Sequence, residues 1–181
     1  MAGKITQSLT EQAERAYKTG RFPQAAEYYL QAQNLFLDGG EKSKAAEMAN
    51  NASVALLKSG NAQGALDACQ GTEQVFEQTG DMRYQAIALG NQAAALDALN
   101  RLEEALSRYR LCSDLFKKIG DEDNRAYVLK SISSLQIRTG HELEALASMD
   151  AALQNKKQLS FKERFLKKLL RIPFQMLKRG G

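Results

Sequence analysis

The chain has no tryptophan, two prolines, two cysteines and one histidine among its 181 residues. With proline confined to Pro23 and Pro173, nothing interrupts long helices over most of the chain. Cys69 and Cys112 lie far apart with no CxxC spacing, which argues against a disulfide framework or a zinc site and leaves both as small core residues. The lone His141 follows Gly140 and precedes Glu142, and no Ser, Cys or Asp is brought to it by the pattern. It reads as a solvated loop side chain rather than a general base. No apolar run approaches the length of a membrane span, and Met1 to Ile5 lack the apolar stretch of a signal peptide. Ala2 stands where myristoylation requires glycine. These absences predict a cytoplasmic protein with no catalytic residues, no metal and no cofactor.

Charge is plentiful but unevenly placed. Residues 156–181 carry nine Lys or Arg and one acid, whereas the remainder carries 16 basic and 20 acidic residues. The formal net charge of +4 is therefore a property of the tail. The mildly acidic body would repel a phosphate backbone, so nucleic acid is disfavoured as a partner.

What the sequence has in abundance is repetition. Gly20, Gly60, Asn100 and Gly140 recur every 40 residues, each followed five positions later by alanine: Ala25, Ala65, Ala105 and Ala145. Midway between them stand Gly40, Gly80 and Gly120, each preceded by an aromatic (Phe36, Phe76, Phe116) and followed by an acid (Glu41, Asp81, Asp121). Two turn markers per period define a row of two-helix units, helix A then helix B. Within helix A of the second unit, Ala46, Ala49, Ala52, Ser53, Leu56 and Leu57 fall at three- and four-residue intervals, a single apolar stripe. Small residues there let helices approach closely, and Phe76 at the end of helix B fills the space they leave. Helices are predicted over 5–19, 22–38, 42–59, 62–78, 82–99, 102–118, 122–139, 142–155 and 161–178. The domains expected are a repeat body over 1–157, with units near 5–40, 41–80, 81–120 and 121–157, and a basic amphipathic helix over 158–181.

These markers resemble the tetratricopeptide repeat. Its signature of a small residue, a turn glycine, an aromatic or leucine, an alanine and a further small residue is matched by Ala13-Gly20-Phe22-Ala25-Ala32. The pattern returns as Ser53-Gly60-Ala62-Ala65-Thr72, Ala93-Asn100-Leu102-Ala105-Cys112 and Ser133-Gly140-Glu142-Ala145-Ala152. The 40-residue period exceeds the usual one of about 34, and the proline that closes helix B is missing. In this the chain is similar to the long-helix variety found in kinesin light chains, cell-polarity adaptors and soluble NSF attachment proteins. HEAT repeats share the period but carry a helix A proline that is absent here. The resemblance implies an all-α solenoid of four repeats with a capping helix, serving as a non-catalytic scaffold or adaptor whose concave groove takes a peptide or partner helix.

The same resemblance places the groove on helix A. It implies Tyr17, then Asn50, Asn51 and Lys58, then Asn91, and finally Tyr127, Lys130, Ser134 and Arg138 as partner-binding residues. Amide side chains can serve both polar groups of a bound backbone, and tyrosine offers apolar contact. Apolar neighbours such as Val54, Leu57 and Ala94 are more simply core.

The tail carries a second candidate surface. Ser160 with Glu163 has the spacing of a capping box that opens a helix. On that helix Phe161, Phe165, Leu166, Leu169, Leu170, Ile172, Met176 and Leu177 gather on one half, while Arg164, Lys167, Lys168, Arg171 and Lys178 gather on the other. It suits either the cap that a repeat array needs at its end or an interfacial helix that meets an anionic membrane or an acidic partner. The second alternative would make the protein peripheral to a membrane.

Overall fold

The structure, a computed structural model, describes the backbone of residues 2–156 and 158–179 and the side chains of residues 5–154, 156 and 158–170. Among the described residues every regular element is an α-helix: α1 (Ala2–Lys18), α2 (Phe22–Asp38), α3 (Lys42–Lys58), α4 (Ala62–Cys69), α5 (Thr72–Thr79), α6 (Met82–Ala98), α7 (Leu102–Lys118), α8 (Glu122–Arg138), α9 (Glu142–Asn155) and α10 (Phe161–Arg179). The all-α repeat fold expected from the glycine comb is the one observed.

The comb works through one repeated hydrogen-bond pattern. At residues 20, 40, 60, 80, 100, 120 and 140 the backbone is left-handed, and the next residue's N–H donates to a carbonyl five positions back. Arg21 to Ala16 at 2.9 Å, Glu41 to Phe36 at 2.8 Å and His141 to Gln136 at 2.8 Å are examples. This closes the last carbonyls of each helix and reverses the chain in three residues. Asn100, at φ 59°, takes the conformation without glycine, as asparagine can. The following helix is capped from the same turn by Asn61, Asp81 and Asp121, whose side chains accept from Gly64, Tyr84 and Asn124. Pro23 sits in the first turn of α2, where a missing N–H costs nothing.

Packing divides the chain into two units, residues 1–111 and 112–181, with the division inside α7. In the first unit α1 packs on α2, α2 on α3, α3 on α4 and both α4 and α5 on α6, and helix A of the second repeat (α3) also packs on helix A of the third (α6). Its first core cluster joins Ala13, Ala16, Ala25, Ala26, Tyr29, Ala32, Met48, Ala52 and Ala55. A second is built on Phe76, which is 3% exposed between Ala46 and Ala88 and stacks on Tyr84 at 5.2 Å. The alanine surfaces and the single large ring are complementary, as the stripe predicted. In the second unit α8 packs on α9 and α9 on α10, with Leu135 and Leu153 wholly buried.

One element departs from expectation. Helix B of the second repeat is not continuous over 62–78: it breaks at Gln70, which is extended (φ −64°, ψ 128°), and Gly71, which is left-handed (φ 84°). The carbonyl of Cys69 freed by the break accepts from the Thr72 hydroxyl at 2.8 Å and from the Gln92 amide at 3.0 Å. One local and one tertiary side chain thus replace the lost helical donor, which is what lets a buried break exist. Cys69 and Cys112 are both buried and unbridged, and burial pushes the Cys69 thiol above its usual range.

Candidate functional site

In the first unit the expected groove residues meet different fates. Tyr17 is half-buried, packs its ring edge-on against Phe22 at 5.3 Å and leans on the first core cluster. Asn50 is 2% exposed and accepts from the Thr72 hydroxyl at 3.0 Å, so it is a packing residue rather than a contact for a ligand. Asn91 is half-buried and donates to the Asn50 carbonyl at 3.5 Å, which ties α6 to α3. Asn51 is half-buried and Lys58, at the end of α3, is exposed.

Beside Asn50 lies a polar knot that the periodicity did not reveal. Glu73, buried in the first turn of α5, accepts from the Gln92 amide and from the Arg108 guanidinium at 3.4 Å. The helix break opens a cleft of about 490 Å³ next to it, lined by Gln63, Asp67, Gln74, Arg101, Glu104 and Arg108 among others. Asparagine, glutamine and glutamate at helical spacing read as surface residues in a sequence. Only the isolated Gly71 hinted that helix B bends inward there.

In the second unit the stripe on α8 is open. Tyr127 is 73% exposed, and Ser134 and Arg138 lie at helical spacing from it, both exposed. Ile137, 60% exposed, extends the surface and is a residue that the family positions did not include. Lys130, half-buried, turns away to form an ion pair with Glu163 of α10. A tyrosine, a hydroxyl, a cation and a branched aliphatic thus lie exposed together on one helix. No cluster of three or more His, Cys, Asp or Glu suited to a metal ion occurs among the described residues. His141 is exposed, its Nδ1 lying 3.0 Å from the Thr139 hydroxyl.

The repeat geometry agrees with comparison to known families. The family model for the soluble NSF attachment protein, SNAP, matches residues 5–172. The chain belongs to the soluble NSF attachment protein family. No curated protein matches it. Among solved structures, BtubC (BKLC) from P. vanneervenii superposes with a TM-score of 0.78 at 14% identity, covering 89% of this chain and 71% of that one. A variant form of the kinesin light chain TPR-like repeats from Podosopora anserina gives 0.67 at 14% identity, covering 96% of both chains. MamA gives 0.51 at 18% identity, over 88% of this chain and 98% of that one. At such identities the solved structures speak to fold: this SNAP-family chain has the tetratricopeptide-like architecture.

The SNAP-family match runs into α10, whose placement is specific. The capping box is present, with the Ser160 N–H donating to Glu163 at 2.9 Å and the Glu163 N–H to the Ser160 hydroxyl at 3.3 Å. Glu163 also pairs with Lys130 and, at 3.0 Å, with Lys156. The Lys130 ammonium above all, then the Ser160 amide and Lys156, hold this carboxyl well below the usual carboxylate range. Its contribution to stability is full above the ordinary carboxylate pKa and is lost only as pH falls below it. Lys167 donates to the Leu153 carbonyl at 3.1 Å in the last turn of α9. Leu170 is 6% exposed, and with the half-buried Leu166 it lines an apolar groove of about 430 Å³ against Ile137, Ala145, Leu146 and Met149. Phe161, Phe165 and Leu169 point away from this contact and are 86%, 60% and 44% exposed, beside exposed Arg164 and Lys168. The single apolar half expected for this helix is thus divided between a docked row and an open one. The side chains of Arg171, Ile172, Met176, Leu177 and Lys178 lie outside the described residues.

No described helix is long and apolar enough to cross a membrane.

Proposed function

We propose that this SNAP-family chain is a non-catalytic adaptor that holds a peptide or partner helix against the open helix A face of α8. The observation that carries this reading is Tyr127, an aromatic 73% exposed in a stripe with Ser134 and Arg138. A large exposed ring has no part in packing, and tyrosine and arginine are the residue types that dominate binding hot spots. Within the first unit, Asn51 and Lys58 on α3 are a separate candidate contact surface. Asn91 acts beneath them, through its bond to the Asn50 backbone.

The test uses the partner recovered by a pull-down with the full chain. Tyr127→Ala combined with Arg138→Glu is expected to weaken its binding by about tenfold or more, as loss of hot-spot contacts does. Helix content in the far-ultraviolet spectrum should not change. Equal affinity of parent and variant in calorimetry would remove α8 from the site.

A second reading concerns α10 and is favoured by its open row of Phe161, Phe165 and Leu169. On this reading the helix attaches the protein peripherally to an anionic membrane surface.

A further inference from the structure

We infer that α10 docks on an anionic lipid bilayer without leaving its place on α9, using the ridge Phe161, Phe165 and Leu169 with the cations beside it; this rests on the membrane reading just given. Capping and surface attachment look mutually exclusive in the sequence, because one apolar half cannot both be buried in the repeat and enter a bilayer. The structure removes the conflict. At about 100° per residue, positions 161, 165 and 169 form one row, and 166 and 170 form another about 120° round the helix from it. The second row is the one turned into the repeat: Leu170 is 6% exposed and Leu166 lines the groove with Ala145 and Met149.

The polar residues sort in the same sense. Glu163 is the one acid of residues 156–181, and it is turned inward to Lys130 and Lys156. Lys167 is also drawn inward, to the Leu153 carbonyl. What remains outside is Lys162 on one flank of the ridge and Arg164 and Lys168 on the other, all exposed. The open face therefore holds two phenylalanines, a leucine and three cations with no carboxylate. That is the composition of a helix lying in the plane of a bilayer, rings in the acyl boundary and cations among the phosphates. An acidic protein would satisfy the cations but leave Phe161, 86% exposed, without the apolar depth that a headgroup layer provides.

Each cation beside an anionic bilayer raises partitioning by roughly fivefold at low salt, so three give on the order of 100-fold preference over a neutral surface. The preference should shrink as salt shortens the screening length to about 10 Å or less.

The absence of tryptophan supplies a clean reporter. Full-length protein carrying Phe165→Trp is mixed with vesicles of phosphatidylserine and phosphatidylcholine, or of phosphatidylcholine alone. A blue shift of emission is expected with the first and not the second, reversed by salt, with amide exchange over 161–170 as slow as in the free protein. In co-sedimentation, Phe161→Glu with Phe165→Glu should lose at least tenfold in vesicle binding at an unchanged melting temperature, since both side chains are open. Three results would overturn the inference. No binding of the parent to anionic vesicles at low salt would remove the membrane reading itself, whether the ridge then proves to hold a second copy or an acidic protein. Binding that accelerates exchange over 161–170 would keep membrane attachment but show that the helix undocks. Binding unaffected by the double substitution would place the attachment elsewhere.

Discussion

Leu135→Ala is expected to lower the unfolding free energy by about 2–5 kcal/mol, the range for truncating a fully buried leucine. Leu135 is 0% exposed on α8 and is one of the largest wholly buried side chains, in a chain whose core is otherwise rich in alanine. A core of small residues has few large groups to lose. In a repeat array the damage should be local, because each helix depends mainly on those next to it. Denaturant melts read the total loss. Amide exchange should show α8 and α9 losing protection while α1 to α3 keep theirs. A loss below about 1 kcal/mol would mean that Leu135 is not the anchor of the second unit.

Gln92→Leu is the second large effect, and it acts through polarity rather than volume. Gln92 is 4% exposed, and its amide serves both the Cys69 carbonyl freed by the break in helix B and the buried Glu73 carboxylate. Leucine fills much the same space but donates nothing. The Cys69 carbonyl retains the Thr72 hydroxyl, whereas Glu73 is left with Arg108 at 3.4 Å alone. A buried acceptor stripped of its donor costs about 1–3 kcal/mol, and more when it is charged. Replacing both partners, Gln92→Leu with Glu73→Met, should recover much of the loss. Arg108 is 42% exposed and can turn to water when its carboxylate is gone. If the double variant is instead the sum of two large single losses, the knot is not a coupled unit.

The contrast between these two sites shows what a linear reading can reach. The comb of turn residues and the α3 stripe of Ala46, Ala49 and Ala52 were legible because each obeys a local rule: a left-handed residue ends a helix, and an apolar stripe at three- and four-residue spacing is buried. Gly71 was harder to place. One glycine inside a helical pattern costs about 1 kcal/mol and is often tolerated. What makes it a break is that the freed carbonyl is taken up by the Thr72 hydroxyl just beyond it and by Gln92, a distant donor on α6. Asn50 and Asn91 looked alike on family positions, yet one is buried beneath the other because Thr72 of the neighbouring helix reaches Asn50. On α10, periodicity located the apolar residues but could not say that Leu170 faces inward and Phe161 outward. That depends on where α9 lies, which a single helix's own pattern does not contain.

If the open face of α8 holds a protein, that protein lies within reach of residue 127. A photo-cross-linking amino acid at position 127 tests it most directly, with position 143 as the control. Leu143 is 70% exposed on α9, so it is equally accessible to a chance encounter but lies on helix B. The account predicts a discrete protein adduct from position 127 and none from position 143. Adducts from 143 alone, or from neither position while a partner still co-purifies, would contradict it.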